Sequence, residues 1–146
     1  MISSGGFREH LDVAGRRFYD LANLIVLAFS LKTSGYSGCR LIGETSAYQV
    51  NTGKTLQIHA MNFFGLSSTD QNIEFGYADA DPGWDGGSEP SGWAEMHNDT
   101  TTQYRQFGST GNHSTADRFN VAADKYFICR NAGSAIGLGL AYGYEV

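Results

Sequence analysis

The residues whose types and spacing come nearest to chemistry lie between positions 79 and 92. Asp79, Asp81 and Asp85 follow one another closely, with Glu89 just beyond, among Pro82, Pro90 and several glycines. Carboxylates at alternate positions in a tight loop are how oxygen-ligand cation sites are assembled. The spacing departs from that pattern in two places. Gly83 stands where a third ligand is needed, and Pro90 where a closing bidentate Glu belongs. A solvated acidic loop is therefore expected, with a weak calcium site as the rival. Acid–base catalysis needs carboxylates in contrasting environments, and nothing in this loop sets its carboxylates apart.

The other reactive residues are scattered. His10, His59, His97 and His113 occur singly, with no H-x-H, H-E-x-x-H or Cys/His cluster. A zinc centre is not expected, nor the clustered His and Glu that a cupin-type enzyme needs. Asp79, His59 and a nearby Ser can be written down as a triad, but no G-x-S-x-G turn supports it. Gly53-Lys54-Thr55 ends like a phosphate loop. Tyr48 stands where its first glycine belongs, and no helix start follows, so a hairpin turn is expected. Cys39 and Cys129 form no C-x-x-C. Two buried thiols is the simpler reading, and a single disulfide stays open. The expectation is no cofactor, no metal and no enzymatic activity.

Binding is better represented than catalysis. Trp84 lies inside the acidic loop, Trp93 follows it and Tyr77 precedes it. Indoles beside Asp and Asn anchor loops into partner surfaces, stack on sugar rings, or cap the domain's own core. Phe7, Arg8, Arg16 and Arg17 give the N-terminal stretch its apolar and basic anchors. With Trp84 and Trp93 they are the partner-binding candidates.

The totals exclude some partners. Ten basic residues against 15 acidic ones, a net charge of −5, argue against nucleic acid, where Lys and Arg must displace counterions. The apolar run Leu24 to Phe29 is far too short to span a bilayer. It is not expected to be a secretory signal either, since Asp20 and Asn23 separate it from Arg16-Arg17 and no small-x-small site follows. Nineteen glycines, few charges and much Ser, Thr, Asn and Tyr suit extended structure with tight turns rather than helices.

The elements follow from periodicity. Residues 1–17 read as an arm, extended or briefly helical around Phe7 to Val13, that lies on a neighbouring surface. Residues 18–146 read as one domain. Leu24 to Phe29 is expected to be a strand buried on both faces. Tyr48 to Val50 and Thr55 to Met61 read as strands around an Asn51-Thr52-Gly53-Lys54 turn. Leu56, Ile58 and Ala60 are expected on one face, and Gln57, His59 and Met61 on the other. Ile73 to Tyr77 is a further strand, and Trp93 to Gln106 can hold one or two more. Gly108 to Ala116 looks broken by glycine. Phe119 to Arg130 echoes the earlier strand–turn–strand unit, its turn ending at Lys125. In the last segment Ile136, Leu138, Leu140, Tyr142 and Tyr144 alternate with Gly137, Gly139, Ala141 and Gly143. Interior glycine is retained where something must approach closely, either the facing sheet or another subunit. The fold expected is all-β, an antiparallel β-sandwich or jelly roll.

The segment Tyr48-Gln49-Val50-Asn51-Thr52-Gly53-Lys54-Thr55-Leu56-Gln57-Ile58 resembles hairpins of small phage virion proteins. The ending Gly143-Tyr144-Glu145 looks like their final strand. The resemblance implies a tailed-phage head decoration (cement) protein, or a related fibre-base or tail-tip domain. Such a protein is a β-sandwich, often trimeric, without catalytic residues, and some reach over capsid subunits with an arm. It implies the major capsid protein and further copies of the chain as partners, and the virion surface as the location after synthesis in the host cytoplasm. A carbohydrate- or receptor-binding module of a tail fibre or tail tip, using Trp84 and Trp93, is the alternative.

Overall fold

The computed structural model describes residues 9–11, 17–19, 23–64, 72–99, 111–133 and 137–146. It is all-β, with no helix among the described residues. Strands β1 (Glu9–Leu11) and β2 (Arg17–Tyr19) pair as a small antiparallel hairpin. Of the extended and helical options for the arm, Glu9 to Leu11 take the extended one with β2 as their partner, while Phe7, Arg8, Asp12 and Val13 lie outside the described residues.

The remaining strands form two antiparallel sheets. The first runs β5 (Arg40–Leu41), β3 (Ile25–Ser30), β11 (Leu138–Glu145), β6 (Leu56–Phe64), β9 (Gly111–Val121). The second runs β4 (Gly35–Gly38), β10 (Tyr126–Asn131), β7 (Ile73–Ala78), β8 (Ala94–Asp99). Their inner faces share one core. Leu27, Phe29, Leu56, Ile58 and Phe63 from the five-stranded sheet pack with Ile73, Phe75, Phe127 and Cys129 from the four-stranded one. The chain is a β-sandwich.

An aromatic seam joins the layers. Phe29 meets Phe63 edge-on at 6.0 Å and Phe75 edge-on at 5.3 Å, while Phe75 stacks on Phe127 at 5.9 Å. Edge-to-face and offset contacts of this kind add to simple area burial.

Strand β6 departs from strict alternation. Leu56 and Ile58 face the core, but so do Met61 and Phe63, whereas Ala60 does not join it. The cause is a bulge at His59. Against β11 the register passes from Gly143↔Ile58 to Tyr142↔Ala60, leaving His59 unopposed, and against β9 it shifts at the same place. One surplus residue inverts the phase of everything after it. The expected facing of Met61 is therefore corrected. His59 is buried, with its ring 5.3 Å from Tyr144 in a T-shaped contact.

The twin Lys-ended turns also differ from expectation. The first does not close a hairpin. Tyr48 to Val50 make only an isolated bridge, Gln49↔Tyr126, and do not pair with β6. The second carries the chain from β9 in one sheet to β10 in the other. Both turns are sandwich corners, and they bind each other. Val50 N donates to Lys125 O at 2.9 Å, Asp124 N donates to Val50 O at 2.8 Å, and Thr52 Oγ1 donates to Asp124 Oδ1 at 2.6 Å.

Two glycines explain themselves by close approach. Along most of β11 the small residues face inward and the large ones outward. A Cβ at Gly139 would lie 2.2 Å from Phe29 Cζ, because the Phe29 ring crosses its β11 partner to reach the seam. The close neighbour foreseen for the glycine stripe is thus a side chain of the adjacent strand. At Gly76 a Cβ would lie 2.0 Å from Ala94 O and 2.8 Å from the Trp93 ring. That glycine lets Trp93 lie flat on the outer face of the four-stranded sheet.

Strand β3 is half of what was expected. Leu27 and Phe29 are fully buried, but Val26 and Ala28 on the opposite face are only partly covered. Strand β9 runs from Gly111 to Val121, so Gly111 to Ala116 are extended where an interruption was expected, while residues 108–110 lie outside the described residues. Strand β6 supplies partners for Gly111 to Ser114, which outweighs the weak propensity of Gly, Asn and Ser, and the pairing resumes at Phe119 after the register shift.

Candidate functional site

The partly open face of β3 leads to the site. Residues 79–93 form the long loop between β7 and β8. Its backbone is held beside β4. Tyr36 N donates to Gly87 O at 3.0 Å, Gly87 N to Tyr36 O at 2.8 Å, and Gly38 N to Gly83 O at 2.7 Å.

The acidic residues are the loop's pins. Asp81 Oδ2 accepts from Ala47 N at 2.9 Å and its Oδ1 from Gly83 N at 2.8 Å. Asp85 Oδ1 accepts from Ser30 Oγ at 2.9 Å and Thr33 N at 3.1 Å, and its Oδ2 accepts from Thr33 Oγ1 at 3.1 Å. Asp79 pairs with Lys125, raising the Lys125 pKa through that hydrogen bond. Glu89 Oε1 accepts from the Tyr36 hydroxyl at 2.9 Å. Burial, and then this hydrogen bond to Glu89, push the Tyr36 phenol up to about 12. The carboxylates thus turn to different protein donors. Among the described residues no three His, Cys, Asp or Glu side chains gather as a metal site would require.

Between Asp81 and Asp85 the loop presents Trp84. Its indole lies beside Ala28 on the outer face of the five-stranded sheet, with the Arg40 guanidinium 4.4 Å from the ring centre. A hollow of about 240 Å³ opens there, lined by Ala28, Phe64, Trp84, Leu138 and Leu140 with parts of Phe29 and Gly139. A second hollow of about 280 Å³ adjoins it across Trp84, bordered by Arg40, Leu41, Ile42 and Glu44. Among the described residues the large exposed hydrophobics are Ile42 at 69%, Val146 at 51%, Leu138 at 40% and Phe64 at 37%. All but Val146 border these two hollows. Scattered apolar exposure is ordinary, but convergence on one face marks an interaction surface.

The candidate residues separate accordingly. Trp84 is in the site. Trp93 is not: it packs at 5.2 Å edge-on to Tyr36 in a small cluster with Ala78, Ile128 and Tyr126 on the other sheet. Phe7, Arg8 and Arg16 lie outside the described residues, and of Arg17 only the backbone in β2 is described. His10, His97 and His113 have described backbones only. Cys39 and Cys129 are free and buried, and burial pushes both thiols well above their ordinary range. The sequence reading missed Arg40, Ile42, Phe64 and Leu138. An Ile directly before a glycine turn was a usable signal for Ile42. For Leu138 the signal was present in the β11 alternation, but not which face points outward.

Because Asp85 fastens the turn that carries Trp84, Asp85→Ala is expected to loosen it. The predicted loss is about 1 kcal/mol, since these bonds are partly solvent-exposed. Tryptophan emission should shift to the red relative to the unaltered protein. Unchanged emission and unchanged melting would show that Asp85 does not position the indole.

No family model matches the chain, and neither a curated protein nor a solved structure matches it. No helix among the described residues is long and apolar enough to cross a membrane.

Proposed function

We propose that the chain is a structural virion protein that binds and stabilises a phage capsid, a head decoration or cement protein acting through subunit–subunit contacts. Its partners are the major capsid protein and further copies of itself, in the trimer that the resemblance implies. It is located on the capsid surface after synthesis in the host cytoplasm. The observation that carries this reading is the open apolar face around Trp84. Ile42, Phe64 and Leu138 stand exposed there beside an indole held by a pinned loop. Apolar and aromatic side chains gathered at one place release water when another protein covers them. The functional role assigned to the described residues is contact, not catalysis. The basic and aromatic residues Phe7, Arg8, Arg16 and Arg17 are assigned to the capsid contact.

Co-sedimentation tests this. The full chain is expected to pellet with empty phage heads and to raise their resistance to heat, and Phe7→Ala with Arg8→Glu is expected to weaken the pelleting. A chain that stays in the supernatant at every head concentration overturns the proposal.

The carbohydrate-binding alternative draws less support. A sugar platform needs convergent polar groups beside its aromatic face. The first hollow is bordered almost wholly by carbon, and Trp93 lies on the other sheet. Glycan binding abolished by Trp84→Ala would reverse this preference.

A further inference from the structure

We propose that the exposed Ile42 of one copy seats in the apolar hollow beside Trp84 of another copy, so that this face joins the chain to itself. The inference rests on reading the face as a subunit contact, and it names the occupant.

Both halves of the contact are present on the same face. Ile42 projects from the turn after β5, where Glu44 N donates to Leu41 O at 3.0 Å, and it is 69% exposed. Among the described residues it is the most exposed large hydrophobic side chain. Beside it lies an open hollow of about 240 Å³ bordered by Phe64, Trp84, Leu138 and Leu140. A projection and a recess of matching apolar character on one surface are self-complementary, which is what association of identical subunits requires.

The charges support the same occupant. Arg40 and Glu44, of opposite sign, flank Ile42 along the chain, and both border the adjoining hollow. A second copy brings the same pair, so its cation can face an anion and its anion a cation. A partner of uniform charge would be repelled by one of the two. The Arg40 guanidinium is held 4.4 Å from the centre of the Trp84 ring, beside the adjoining hollow.

The test uses the full chain and reads its mass in solution by light scattering. The unaltered protein is expected at a multiple of 15.8 kDa at micromolar concentration. Ile42→Asp removes the projection, and Leu138→Arg fills and charges the recess. Both positions are solvent-exposed, so each variant should keep the melting temperature and circular dichroism of the parent. Each alone is expected to be monomeric, with self-association weakened roughly tenfold or more. Mixed in equal amounts, the two should associate again. The carboxylate introduced in one variant then meets the guanidinium introduced in the other, while the intact Ile42 meets an intact recess. Three results overturn the inference: a monomeric parent, variants that keep the parent's mass, or a mixture that stays monomeric. Pelleting with phage heads is read separately. A monomeric chain that still pellets defeats this inference and the self-association it rests on but leaves the capsid contact standing, and an associating chain that never pellets defeats the capsid contact alone.

Discussion

Phe75→Ala is expected to cost about 3–5 kcal/mol of folding stability. The ring sits where the two layers meet, 5.3 Å from Phe29 and 6.3 Å from Phe63 on one sheet and 5.9 Å from Phe127 on its own. Removing it deletes apolar burial and leaves a void. The void cannot close readily, because its walls belong to two sheets whose spacing is fixed by many other side chains. Urea unfolding should show a lower midpoint with an unchanged slope. A loss below about 1 kcal/mol would mean that the layers are held together elsewhere.

Glu145→Gln is expected to cost about 2 kcal/mol at neutral pH, a figure held down because the carboxylate is only partly buried. Glu145 closes the far end of β11 against the first corner. It accepts from Tyr48 Oη at 2.5 Å, Asn51 N at 3.0 Å and Asn51 Nδ2 at 2.9 Å. Burial alone would raise its pKa. The bonds from Asn51 and Tyr48, with Lys54 nearby, outweigh burial and hold it below its ordinary value. Burial, and then the bond to Glu145, push the Tyr48 phenol well up.

The sign of the pH effect follows. A carboxyl with a depressed folded-state pKa binds protons more weakly when folded. Its contribution is complete above the unfolded value, about 4.3 for Glu, and is lost as pH falls through the lower folded value. The parent and Glu145→Gln should therefore differ most near neutrality and converge below about pH 4. A gap independent of pH would assign the effect to shape rather than charge.

Much of this architecture was legible in the residues. The run at Leu24 to Phe29, the alternation of Ile73, Phe75 and Tyr77, and the small–large stripe of β11 each encode a strand, because side-chain direction reverses at every residue. The acidic turn was legible as a loop with Trp84 inside it, but not which of its possible roles the indole takes. Three things were hidden. The facing of Met61 depends on a surplus residue at His59, which no local pattern announces. The corners could not be told from hairpins, because the same turn residues serve both and the pairing of Val50 with Lys125 is long-range. The apolar face is assembled from β3, β6, β11, the β5 turn and a loop arriving from the other sheet. Its members share no spacing along the chain.

The surplus residue in β6 has a consequence for how the chain finds its fold. An uninterrupted strand of this length could slide past its neighbours by two residues and still present alternating side chains to the interior. Here the odd residue is unopposed on the β11 side and coincides with the register break on the β9 side, at the same level. Only one alignment brings both irregularities to His59 together. The position acts as a keyway that admits a single insertion depth. Pairing His59 residue for residue, without the bulge, would leave a smoother strand with Met61 and Phe63 turned toward water.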